Sequence, residues 1–148
     1  MEFEMTDEQR MLQDMAREFA RKEIAPVARE LDRDRRFPYE LWNKLKELSL
    51  PGILVPEEYG GQGLDPLTYA IVLEELARAD DSFAAIFQVH VLVTEMYRLY
   101  ASKEHKEKFL PILASGDKLG GFALTEPNAG SDARAILTRA DLRDGRWV

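Results

Sequence analysis

Phe122-Ala123-Leu124-Thr125-Glu126-Pro127-Asn128-Ala129-Gly130-Ser131-Asp132 marks the point at which this chain changes its period. Before it, apolar residues recur at helical spacing. After it, they alternate. The stretch puts a hydroxyl, two carboxylates, a proline and a glycine–serine pair into one strand-to-loop transition. Glycine lets another molecule approach the backbone closely, and serine adds a neutral donor. This is the chemistry of a backbone shaped to hold a polar ligand.

Downstream, Ile136, Thr138, Ala140 and Leu142 alternate with Leu137, Arg139, Asp141 and Arg143, the pattern of a half-buried strand. Asp144-Gly145 is a two-residue hairpin signal, and Arg146-Trp147-Val148 begins the return strand. Just upstream, Leu119 to Thr125 is short, is interrupted by Gly120-Gly121 and suits a strand. Residues 119–148 are therefore expected to open a β-rich domain that is barely begun where the chain stops. Residues 1–118 are expected to form a helical domain.

The helical reading rests on caps and stripes. Thr6-Asp7-Glu8-Gln9 is a capping box. Behind it Leu12, Met15, Ala16, Phe19, Ala20 and Ile24 form one buried stripe, until Pro26 kinks or restarts the helix. A second stretch carries Val27 and Leu31 to about Arg35. Pro38 opens the next helix, whose face is Leu41, Trp42, Leu45 and Leu48. Pro51 to Pro66 is a loop, with Ile53-Leu54-Val55 expected as a buried extended segment. A further helix is expected to turn Leu67, Ala70, Ile71, Leu73 and Leu76 inward and Glu74, Glu75 and Arg78 outward. Asp80, Asp81 and Ser82 offer caps for a helix that is apolar nearly all round to Tyr100, expected to be covered on all sides. A last helix starts near Ser102, is expected to kink or break at Pro111, and closes at Ser115-Gly116.

Composition narrows the function classes. The 148 residues are 45% hydrophobic and 32% charged, an ordinary globular balance. The net charge of −7 comes from interleaved acidic and basic residues and leaves no basic stripe for nucleic acid. The absence of cysteine excludes disulfides and thiolate metal sites. His90 and His105 lie too far apart for a short zinc motif, so no metal is expected. The acidic Met1-Glu2-Phe3-Glu4 start has the wrong sign for a targeting peptide, and no apolar run approaches the ~18 residues of a membrane span. A cytoplasmic location is expected.

Four stretches then occur in order. They are Thr6-Asp7-Glu8-Gln9-Arg10, Glu23-Ile24-Ala25-Pro26-Val27-Ala28, Val55-Pro56-Glu57-Glu58-Tyr59-Gly60-Gly61-Gln62-Gly63-Leu64, and Phe122 to Asp132. In them the chain strongly resembles the acyl-CoA dehydrogenase family of flavoenzymes, over essentially its whole length. The resemblance implies a mainly α fold: an N-terminal up-and-down helical bundle domain followed by the first strands of a truncated β-domain. In full-length relatives a C-terminal four-helix bundle follows. It implies an oxidoreductase of fatty acid β-oxidation type that uses FAD. A glutamate removes the α-proton of an acyl-CoA thioester, and the β-hydride passes to the flavin. An electron-transfer flavoprotein and a homo-oligomeric full-length form are the implied partners.

By the same resemblance, Phe122, Leu124 and Thr125 would lie along the flavin ring. Gly130 and Ser131 would approach the FAD phosphates, with Ser131 also near the CoA portion of the substrate. Val91 to Met96 would wall the acyl pocket, Val91 foremost, although core packing accounts for that segment equally well. The plain alternative for Thr125 to Asp132 is a capped turn at a domain boundary. The family's catalytic glutamate lies in the C-terminal bundle, so no catalytic residue is expected in this chain, and the isolated chain is expected to be inactive. Glu126 and Asp132 are read as structural, His90 as a satisfied core or wall histidine, His105 as solvent-facing and Trp42 as core. Ser49 and Ala101 stand where relatives usually carry glycine, so those helix ends are expected to close differently. A short- or medium-chain dehydrogenase is the leading reading. Acyl-CoA oxidases and flavin monooxygenases share the fold, and a non-enzymatic helical interaction or assembly module is the rival.

Overall fold

A computed structural model describes residues 4–148, and the Met1-Glu2-Phe3 start of the chain lies outside the described residues. Helix α1 (Asp7–Phe19) begins with the expected capping box: the Gln9 amide donates to Thr6 Oγ1 (3.1 Å) and the Thr6 amide to Gln9 Oε1 (3.0 Å). The helix widens into a π-turn at Ala20–Ile24, and its stripe continues through that turn, with Ala16, Phe19, Ala20 and Ile24 buried. Pro26 follows the turn, and α2 (Ala28–Asp34) restarts after Val27. Helix α3 (Tyr39–Glu47) buries Leu41, Trp42 and Leu45.

After α3 the chain turns sharply, and here the sequence expectations need correction. Ser49 takes the left-handed conformation (φ 57°, ψ 17°), so this end closes as a glycine would close it. Leu50–Gly52 and Glu57–Tyr59 are single 3₁₀ turns. Ile53 and Val55 are buried as expected, but Ile53 has helical dihedrals (φ −52°, ψ −41°) and is not extended. The reason is local bonding: the Ile53 amide donates to the Leu50 carbonyl and the Val55 amide to that of Gly52.

Helices α4 (Pro66–Ala79), α5 (Asp81–Tyr100) and α6 (Lys103–Ala114) pack in succession, and α1 lies against α4. Asp65, Asp80 and Ser102 cap them through their side chains. The buried stripe of α4 is Thr68, Val72, Glu75 and Leu76, rotated from the expected one: Leu67 is 60% exposed and Ala70 is exposed. Polar residues take the inward positions because α1 satisfies them. Gln9 Nε2 reaches Thr68 Oγ1 (3.4 Å), and Arg17 grips the Glu75 carboxylate with two bonds (3.2 and 2.9 Å). Glu75, expected outward, is therefore only 2% exposed.

The all-round cover expected for α5 and a break in α6 at Pro111 are not seen. Helix α5 is central on one face only; Leu92, Met96 and Leu99 on the opposite side are exposed. Pro111 does not break α6, which runs through it to Ala114 and closes with Gly116 at φ 73°. Ala101 is extended (φ −73°, ψ 153°), so this end does close without a left-handed residue.

Past Gly116 the regular structure thins. Leu119 to Thr125 forms no strand, because no described segment lies beside it to complete a ladder. The strand expected over 136–142 is reduced to β1 (Leu142–Arg143), paired antiparallel with β2 (Arg146–Trp147) across the Asp144-Gly145 turn. Both turn residues have positive φ (49° and 75°), as a two-residue hairpin requires.

Candidate functional site

The segment from Gly116 to Asp132 leaves the helical body at a well-fastened joint. Trp42, whose ring is buried in α3, donates its indole N–H to the Gly116 carbonyl (2.9 Å). Lys46, one turn on, pairs with Asp117 (2.6 Å). Three residues further, the Gly120 amide donates to Nδ1 of His90 in α5 (3.0 Å). That bond fixes the tautomer: the imidazole proton sits on Nε2, which donates to the Leu113 carbonyl at the end of α6 (3.1 Å). The ring is fully buried and stands edge-on to Trp42 (centroids 4.9 Å apart). Burial pushes its pKa down to about 4. His90 is thus the satisfied core histidine expected of it.

Beyond the joint, Phe122 and Leu124 are 45% and 42% exposed, and Ala123 and Thr125 are exposed as well. Glu126 to Ala129 closes a turn through reciprocal backbone bonds (2.9 and 3.2 Å), and Ala129 is buried. The Glu126 carboxylate accepts from the amides of Leu137 (2.8 Å) and Thr138 (3.0 Å), tying the turn to the chain eleven residues on. Its pKa is held below the usual carboxylate value, first by the Thr138 side chain and then by the Leu137 and Thr138 amides. Asp132 accepts from the Arg134 amide (3.2 Å) at the start of a 3₁₀ turn, Ala133–Ala135. Both carboxylates are spent on backbone donors, the structural role read from the sequence.

The site residues named from the sequence fall into two groups. Phe122, Leu124, Thr125, Gly130 and Ser131 share one exposed segment. A Cβ built on Gly121 or Gly130 would meet nothing within 4 Å, so neither glycine is required by contacts within the chain. Gly120 differs: a Cβ there would lie 2.7 Å from Val93 Cβ of α5. Val91, by contrast, is buried in the main apolar core with Phe83 and Phe87 and is separate from the exposed segment.

Beside the joint runs an apolar groove of about 320 Å³, lined by Phe37, Ala85, Ile86, Val89, Leu119 and Gly120. The sequence reading did not single these out. The i, i+4 pairing of Ala85 with Val89, against Gly120-Gly121, was the available signal. These apolar walls, with Ser82 among the lining residues, can take an apolar chain. A flat aromatic cofactor suits the exposed segment instead, which offers two apolar side chains, a hydroxyl and open backbone at Gly130. Among the described residues, no cluster of His, Asp or Glu could hold a metal ion, and no helix is long and apolar enough to cross a membrane.

Residues 6–117 match the family model for the acyl-CoA dehydrogenase N-terminal domain. The chain is 45% identical to the acryloyl-CoA reductase (NADH) of Anaerotignum propionicum over 142 residues, which cover 96% of this chain and 36% of that protein. An acyl-CoA dehydrogenase of Bacillus subtilis (strain 168) is 43% identical over 145 residues, 97% of this chain and 38% of that one. The crystal structure of an acyl-CoA dehydrogenase complexed with FAD from Bacillus anthracis superposes with a TM-score of 0.88 at 37% identity, covering 96% of this chain and 24% of that one. The chain thus spans little more than a third of the length of the curated relatives it matches.

Proposed function

The chain belongs to the acyl-CoA dehydrogenase family, and from that premise we propose that it is the N-terminal portion of an FAD-dependent enzyme that oxidises an acyl-CoA thioester to the 2,3-enoyl-CoA. Its contribution is one wall of the flavin and acyl-CoA site. The observation that carries this is the run Phe122, Leu124 and Thr125, exposed on a segment that three side chains of the helical body fasten at its root. FAD, when bound, supplies the acceptor for the substrate's β-hydride. The apolar side chains at Phe122 and Leu124 pack on its ring, and Thr125 donates a hydrogen bond at its polar edge. Gly130 and Ser131 receive phosphate oxygens and the CoA portion. The groove beside Gly120 takes the acyl chain; Val91, which does not line it, stays in the core.

No residue of this chain takes the α-proton. Glu126 accepts two backbone amides and Asp132 one, bonds that hold the loop, and neither is assigned as the base. The 148-residue chain alone is therefore inactive and colourless. Electrons leave the complete enzyme for an electron-transfer flavoprotein, and the location is cytoplasmic. The relative named as a reductase runs its chemistry toward the saturated thioester, and the same wall would serve either direction.

A chimera tests this reading. The 148 residues replace the corresponding part of a complete acyl-CoA dehydrogenase, and acyl-CoA-dependent reduction of an artificial acceptor is measured. Turnover that falls at least tenfold on Thr125→Ala is expected. A folded chimera without acyl-CoA-dependent turnover would contradict the proposal and favour the interaction-module reading. Stoichiometric yellow flavin on the isolated chain would overturn its stated lack of colour and would sink the interaction-module reading.

A further inference from the structure

We propose that His90 is a positioning residue that sets where the site segment leaves the helical body, acting through its Nδ1 bond to the Gly120 amide. That this segment is the site rests on the function proposed above; the bond and its consequences do not.

A buried histidine needs partners for both ring nitrogens, and two bonds within one helix pair would serve that need. His90 instead spends Nε2 on α6, at Leu113, and Nδ1 on the first residues beyond the helical body, at Gly120. The two partners are seven residues apart, and between them lie Gly116 and Asp117, held by Trp42 and Lys46 of α3. Trp42 also meets the His90 ring edge-on, so the α3 and α5 anchors brace each other. Gly120 is pressed against α5 so closely that a Cβ would overlap Val93. The backbone can approach His90 at this distance only because the residue is glycine. Phe122 follows two residues later and Thr125 five, too few for the chain to forget the angle at which it left. Both nitrogens are buried, so loss of either bond leaves an unsatisfied group.

The two bonds can be separated, because asparagine places its carbonyl oxygen near the Nδ1 position and glutamine places its amide nitrogen near Nε2. His90→Asn retains the acceptor for Gly120, and His90→Gln retains the donor to Leu113. Amide hydrogen exchange of the 148-residue chain, without any ligand, reads the outcome as the rate at Gly120 relative to that at Phe87 in the middle of α5. The ratio is expected to rise about tenfold in His90→Gln and to stay within about threefold in His90→Asn, as expected for loss of one hydrogen bond to a buried group. Amide shifts from Gly121 to Ser131 are expected to move in the glutamine variant alone. A purely structural core role predicts the same change of ratio in both variants, and that result would overturn the proposal. The unmodified chain offers an independent check that survives misfolding of either variant. A through-bond ¹⁵N–¹⁵N coupling between the Gly120 amide and His90 Nδ1 is expected, and its absence from a resolved spectrum would also overturn it. Because neither measurement involves flavin or acyl-CoA, failure here is distinct from failure of the functional reading.

Discussion

The helical body and the tail past Gly120 carry similar apolar residues and treat them in opposite ways. In the body, Phe83, Phe87, Leu45 and Leu76 are closed off from water, and among the described residues no buried polar side-chain atom lacks a partner. In the tail, Phe122, Leu124, Leu137, Leu142 and Trp147 are all exposed, Trp147 by 71%. Clusters of exposed apolar side chains mark surfaces that bind something. The difference teaches that the body has a packed core of its own, while the large apolar side chains of the tail stay open to other groups. The exposed side of α5, with Leu92, Met96 and Leu99, behaves like the tail although it is helical.

Mutations should separate the two regions sharply. Phe87→Ala empties a fully enclosed position and is expected to cost about 3–5 kcal/mol, read as a large drop in Tm. A small effect there would deny the body its packed core. Acidification comes next. The unfolded chain protonates His90 near its ordinary 6.5, while the folded chain holds it neutral until about 4. Stability is therefore complete above pH 6.5 and falls as the pH drops from 6.5 toward 4, by about 3 kcal/mol in all. A His90→Asn chain should show a shallower slope over that window in urea titrations. In the tail, Gly145→Ala places a Cβ at φ 75° and is expected to cost the hairpin about 1 kcal/mol, visible in Leu142 and Trp147 amide signals without a shift in Tm. Trp147→Ala should move global stability by no more than ~0.5 kcal/mol. A larger loss would show that the tail is part of the core after all.

Much of this was legible because caps and stripes act locally. Thr6 with Gln9, the Asp80 and Ser102 caps, and the Asp144-Gly145 turn all formed as their chemistry dictates. The failures have one physical source, which is that a neighbour decides. Glu75 reads as a surface residue until Arg17 arrives from α1. Pro111 reads as a breaker, yet a helix packed through Leu110, Leu113 and Ala114 runs through it. Leu119 to Thr125 reads as a strand, but a strand exists only beside another. For the site, the residue types of Phe122 to Asp132 were plain in the sequence. The joint made by Trp42, Lys46 and His90 was not, because those residues lie 74, 71 and 30 positions from their partners.

In the complete enzyme, flavin is proposed to cover the exposed segment. Hydrogen exchange across residues 119–132, in the chimera with FAD bound and with FAD removed, measures this directly. Phe122 to Ser131 should slow strongly when FAD is bound, while α5 amides around Phe87 stay unchanged. Equal exchange along the segment in both states would contradict the assignment of this wall to the flavin.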